Sequence, residues 1–133
     1  MDPGKSCTDL AAGLYHYDPV GHRLGRLSGV TPDLTLVLSH AAMAAGMDPG
    51  QLQVLLVYTA RFQRVAWKYS SLAYALILKD VGVLMQNMYL AAAAMGLAPC
   101  ALGVGDSDRF ARAIDSDYCD ESSVGEFLLG STA

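Results

Sequence analysis

The chain has 133 residues, enough for one domain of ordinary size, and its 53% apolar and 17% charged residues exclude an intrinsically disordered protein. Nine basic residues against 13 acidic ones give a net charge of −4 without any Lys/Arg run, which excludes the positive face that nucleic acid requires. The usual charged share is about 25%, so the chain holds more apolar surface than a small monomer easily buries, and burial against another chain is expected.

Residues 13–27 read as a hairpin: Tyr15 and Tyr17 alternate with Leu14 and His16, and Asp18-Pro19-Val20-Gly21 has turn chemistry. Thr31-Pro32-Asp33 predicts a helix start, with a capping hydroxyl, Pro in the first turn and an acid at the positive end. That helix runs to Ala45 and Gly46 stops it, and residues 47–50 form a turn. Residues 52–58 are short, β-rich and almost continuously apolar, which predicts a strand buried on both faces. Residues 61–67 predict a short helix. Ser70 or Ser71 then caps a long helix that continues to Met95 and ends at Gly96. Its apolar residues cover more than one stripe, which predicts a buried central helix. Lys79, Asp80, Gln86 and Asn87 near its middle argue against a membrane span. Residues 100–104 predict a strand, Asp106 caps a helix through Ile114, residues 115–122 are a polar loop, and residues 124–129 are a closing strand.

Cys7, Cys100 and Cys119 show no CxxC pair, and the N-terminus lacks an apolar signal core. Reduced thiols in a cytoplasmic protein are expected.

Three constellations are candidates for chemistry. In residues 61–71, Arg64 and Lys68 lie one helical turn apart. Like charge and desolvation by Trp67 would push the proton off Lys68, and such a lysine serves as a general base, with Tyr69 beside it as a second donor or acid. The same pattern also fits a solvated basic helix with its aromatic residues facing the core. In residues 96–106, Gly103 and Gly105 before a helix start let backbone N–H groups approach a ligand, though a tight strand-to-helix turn needs the same residues. Neither GxGxxG nor a phosphate-loop Lys is present. His16 and His22 lie across a turn and could face each other, but further metal ligands at suitable spacing are missing, so no metal is expected. His40 stands alone on its helix. Gln86 and Asn87, if buried, need hydrogen-bond partners.

Taken together, these segments resemble the SagB-type dehydrogenases, the thiazole/oxazole-forming peptide dehydrogenases of the FMN-dependent nitroreductase superfamily. The resemblance lies in GLYHYDP followed by His22, in VLLVYTARF, in the central RVAWKYSSLAYALILKDVGVLMQNMYLAAAAMGLAPCALGVGDSD, and in the closing VGEFLLG. WKYSSLAY is its most specific part. The resemblance implies an α+β fold, a few-stranded sheet packed around a long central helix, dimerisation about that helix, and FMN at the dimer interface. It implies oxidation of azoline rings to azoles in ribosomally made or related modified peptides. The family's Lys-Tyr pair matches Lys68 and Tyr69 as catalytic residues. Ala101, Leu102, Gly103, Val104 and Gly105 match the backbone that approaches the flavin N5 edge.

Family members carry an Arg/Ser-rich flavin-phosphate motif ahead of the matching region, whereas here Lys5-Ser6 is a poor substitute. The expectation is one partial domain over residues 1–133, truncated at its N-terminus, in a homo- or hetero-oligomer whose partner supplies the phosphate site. The alternative is a non-catalytic scaffold subunit pairing with a full-length dehydrogenase or a cyclase complex.

Overall fold

The computed structural model describes residues 9–132. Lys5, Ser6 and Cys7, which entered the sequence reading, lie outside them. Strands β1 (Leu14–Asp18) and β2 (Arg23–Ser28) pair antiparallel as the predicted hairpin, a two-stranded sheet of its own. The Asp18 carboxylate closes the turn by accepting from Val20 N–H at 3.0 Å and from Arg23 Nε at 3.1 Å. Backbone N–H groups of Gly21 and Val20 hold this carboxyl below its ordinary range. His22 occupies the turn at φ 47° and takes a 2.8 Å hydrogen bond with the Tyr17 hydroxyl through Nδ1. Its partner is thus a tyrosine on the strand.

Helix α1 (Pro32–Ala44) starts as its sequence dictates: Leu34 N–H donates to Thr31 Oγ1 at 3.2 Å, and Gly46 takes the left-handed φ of 67° just past the end. Strand β3 (Val54–Ala60) follows, then α2 (Gln63–Tyr69) and, after one 3-10 turn, the long helix α3 (Ala73–Met95). Gly96 ends α3 in the left-handed conformation at φ 69°. Strand β4 (Leu97–Leu102), helix α4 (Ser107–Ala113) and strand β5 (Ser122–Ser131) complete the chain.

The main sheet has the order β3-β5-β4, antiparallel throughout, so the last strand in sequence is the central one. Its side chains alternate between two helical layers, as the two-residue period of a strand requires. Gly125 and Phe127 face α3: a Cβ at Gly125 would meet Met85 and Val81, and Phe127 meets the Tyr89 ring edge-on at 5.0 Å. Glu126 and Leu128 face α1 and α4, where Leu128 joins Ala41, Leu102 and Leu55 in the core. The expected α+β architecture, a small sheet with one dominant helix, is the one observed.

Several expectations are corrected. β3 is an edge strand, only partly buried, because β5 takes the centre. Neither Ser70 nor Ser71 caps α3, since Ser70 is used for a sharp bend at φ 48° and α3 starts without a side-chain cap. Only Ala73, Ile77 and Ala92 of α3 are buried, because the sheet covers one face and little among the described residues covers the other. Gln86 and Asn87 are exposed, and Asn87 Nδ2 donates to the Val83 carbonyl at 3.1 Å instead of serving a core contact. No helix among the described residues is long and apolar enough to cross a membrane.

Candidate functional site

The Lys68–Tyr69 pair lies at the end of α2, and three local features fix it there. Glu121, in the loop before β5, accepts from Thr59 Oγ1 and from Arg61 Nε, both at 2.6 Å, clamping the point where β3 becomes α2. The Thr59 bond first, and then Arg61, keep the Glu121 carboxyl below its ordinary range, so it is anionic at neutral pH. Phe62 stacks on Tyr74 of α3 at 6.0 Å. At the far end, Ser70 N–H donates to the Ala66 carbonyl and the chain bends at the Ser70 positive φ, a costly conformation for a residue with a Cβ. The bend turns the chain from the short helix into α3 immediately after the pair.

Both side chains are exposed, and Lys68 Nζ stands 5.2 Å from the Tyr69 ring centroid. Trp67 is 79% exposed, so within this chain it does not supply the dry surroundings that the sequence predicts for Lys68. The arrangement presents an amine and a phenol side by side beside the open face of α3.

The turn after β4 contains the second set of predicted residues. Leu102 is buried and anchors the strand end, Ala101 N–H donates to the Tyr89 hydroxyl at 2.7 Å, and Gly103, Val104 and Gly105 are exposed. Asp106 closes the turn as the predicted cap of α4, accepting from Arg109 N–H at 3.0 Å. That backbone bond, with the Arg109 side chain, holds the Asp106 carboxyl below its ordinary range. A Cβ at Gly103 would meet nothing, so the backbone here is open to a flat ligand edge. The exposed Gly103, Val104 and Gly105 therefore leave room for a ligand edge at this turn. The turn does not offer a phosphate ligand of its own, because Arg109 is taken up by Asp106 and by Asp33 of α1, each at 3.3 Å.

The two sets lie on different elements: Lys68 and Tyr69 end α2, ahead of α3, and the turn follows β4, with Ser107 just past it hydrogen-bonded to Ser123, which pairs with Thr59 near the end of β3.

Sequence reasoning missed Glu121 and Glu126. Glu121 meets Arg61 from a position 60 residues away, which no local pattern reveals. Glu126 left one signal, a single charge inside the otherwise apolar closing strand. It is 8% exposed and lines a small cavity of about 20 Å³ with His40 and Asp106. His40 does not stand alone: its Nδ1 is 3.8 Å from Asp106 Oδ2. Among the described residues no group of three His, Cys, Asp or Glu could hold a metal ion.

A family model described as the nitroreductase family matches residues 29–130. No curated protein sequence matches the chain. In structure the chain is similar to a nitroreductase candidate from Anabaena variabilis ATCC 29413, with TM-score 0.77 and 26% identity over 95% of this chain and 25% of that one. It is similar to the E. coli microcin synthetase McbBCD complex with truncated pro-MccB17 bound, with TM-score 0.74 and 23% identity over 90% of this chain and 44% of that one. A nitroreductase candidate from Ralstonia eutropha JMP134 gives TM-score 0.71 and 22% identity over 92% of this chain and 54% of that one. The chain thus spans between a quarter and about half of these chains.

Proposed function

The chain belongs to the nitroreductase family, and from that premise we propose that it forms part of a SagB-type, FMN-dependent dehydrogenase that oxidises azoline rings to azoles in modified peptides. The observation that carries the reading is the adjacent Lys68–Tyr69 pair within WKYSSLAY, exposed at the end of α2 beside an uncovered helix. The microcin synthetase complex, solved with a truncated pro-peptide bound, shares the fold; a peptide substrate for this chain is in keeping with that likeness.

In this reading Lys68, as the free amine, takes the proton from one ring carbon of the azoline. Tyr69 orients the amine or donates a hydrogen bond to the ring heteroatom. FMN, when bound, supplies the acceptor for the hydride that leaves the neighbouring carbon. The exposed backbone of Gly103, Val104 and Gly105 would hold the flavin edge, and the buried Leu102 and the Asp106 cap fix the two ends of that turn. One domain over residues 1–133 and a cytoplasmic location, in keeping with the free thiols of Cys100 and Cys119, are part of the same reading.

The exposed apolar residues of α3 favour a site completed by a second chain: Val83 is 63%, Leu90 61% and Met95 70% exposed. Sedimentation at micromolar concentration is expected to show a dimer or larger assembly, and a stable monomer would remove the shared site.

Fluorescence titration with FMN tests the cofactor. Weak binding is expected for the isolated chain, because Arg109 is engaged, and tighter binding with a partner chain that brings phosphate ligands. Tight stoichiometric binding by the isolated chain would dismiss the partner's contribution. No binding in either arrangement would overturn the flavoenzyme reading. It would favour the alternative, a non-catalytic scaffold subunit, to which the engaged Arg109 also points.

A further inference from the structure

Glu126 is the one acid inside the main sheet. It sits on the central strand between Val57 of β3 and Leu102 of β4, its cross-strand neighbours. Its side chain faces the α1 and α4 layer and ends at the cavity lined by Val37, His40, Gly105, Asp106 and Phe110. The carboxyl lies directly against the backbone of Gly105, so closely that a Cβ built there would fall on both its oxygens. The Glu126 carboxyl therefore packs on the turn from behind, in the space that a side chain at position 105 would take. The cavity has room for about one water.

The groups that face this carboxyl from other elements are His40 and Asp106, and Ser123 adds a hydroxyl on β5 itself. α1 brings His40, and the head of α4 brings Asp106. Arg109 and Asp33 stand behind Asp106 and are paired with it or with each other. β3 and β4 contribute only apolar neighbours. Among the described residues no cation is within ion-pair distance of Glu126, while Arg109 and His40 both attend to Asp106.

We propose that Glu126 is a positioning residue: as a neutral acid it holds the Gly103-Val104-Gly105 turn against the sheet, and its ionisation releases that turn. The physical reason is the asymmetry between the two charge states at this place. A neutral carboxyl fits against Gly105 and the apolar strand neighbours. A carboxylate there lacks a counter-ion among the described residues, so it gains by moving outward to water. Burial pushes the Glu126 carboxyl up, with a hydrogen bond from Ser123 working the other way. A raised carboxyl contributes stability that is complete below the ordinary glutamate value and is lost as the pH rises through the raised one.

The inference rests on the proposed function only in taking this turn as the flavin-facing segment; the support of the turn by Glu126 stands on geometry. The test is nuclear magnetic resonance of the full chain in its native assembly. The Glu126 side-chain carboxyl carbon and the Gly103 and Gly105 amides are followed across the acid-to-neutral range. In the wild type all three are expected to titrate together, above the ordinary glutamate range. In Glu126→Gln, a neutral isostere, the glycine titration is expected to vanish and the amides to stay at their low-pH wild-type positions. In His40→Gln it is expected to persist. Titration of the Glu126 carboxyl in the ordinary range, or glycine shifts that survive in Glu126→Gln, would overturn the proposal. FMN titration over the same range separates the two readings. Glycine amides that follow Glu126 while FMN affinity stays constant would leave the support intact and remove the turn from the flavin site.

Discussion

Replacing Lys68 with alanine in the flavin-loaded assembly is expected to slow azoline oxidation by about 10²–10⁴-fold, the usual loss when a positioned base is removed. Abstraction of a carbon-bound proton needs a base within reach, and water at the same place is a poor substitute. The fold should be unaffected, because Lys68 is exposed and pairs with no acid among the described residues; surface changes of this kind stay within about 0.5 kcal/mol. FMN affinity should also hold, since the turn at Gly103 and Gly105 is built from other elements. Lys68→Arg should not rescue, because a guanidinium cannot give up its proton in this range. Tyr69→Phe should be milder if the phenol orients the amine, and as severe as Lys68→Ala if it donates a proton. Single-turnover flavin reduction by an azoline peptide measures all of them. Wild-type rates in Lys68→Ala would take the lysine out of the chemistry and leave α2 a solvated basic helix.

Phe127→Ala is expected to cost about 3–5 kcal/mol, a large fraction of the ~5–15 kcal/mol that holds a typical domain. Phe127 is fully buried on the central strand, edge-on to Tyr89, and β5 packs too tightly between its neighbours to close the resulting void. The loss should reach beyond the core. Tyr89 carries the hydroxyl that takes the Ala101 N–H, so a Tyr89 ring freed from Phe127 loosens the start of the turn. Tyr89→Phe, which keeps the ring and removes that bond, should cost about 1–3 kcal/mol by leaving a partly buried N–H unpaired. Denaturant unfolding of the assembly at fixed protein concentration measures both. A loss below ~1 kcal/mol for Phe127→Ala would mean that the site collapses around the smaller side chain.

Local chemistry was legible wherever a few neighbouring residues decide it. Thr31 and Asp106 cap α1 and α4, Gly96 ends α3 and the hairpin turn follows Asp18, each because a single side chain or a missing Cβ satisfies the backbone within three or four residues. The reading failed at Ser70, where two serines before an apolar run look like a cap. The backbone instead bends there with a positive φ, because α2 must turn into α3 under the Phe62–Tyr74 stack. It failed again at Gln86 and Asn87: an apolar helix was taken to be covered all round, whereas the sheet can cover only one face.

The sequence by itself determined the element order and the caps of α1 and α4, and it singled out Lys68 with Tyr69 and the Gly103/Gly105 turn as candidates. These follow from composition and from spacings shorter than one element. Only the tertiary structure decided that β5 is the central strand, that Glu121 clamps Arg61 and Thr59, and that Glu126 is pressed against Gly105. Each of these joins residues far apart in sequence. Which strand sits in the middle depends on whole faces competing for burial, and a lone acid such as Glu126 has no sequence neighbour that could announce the glycine it leans on.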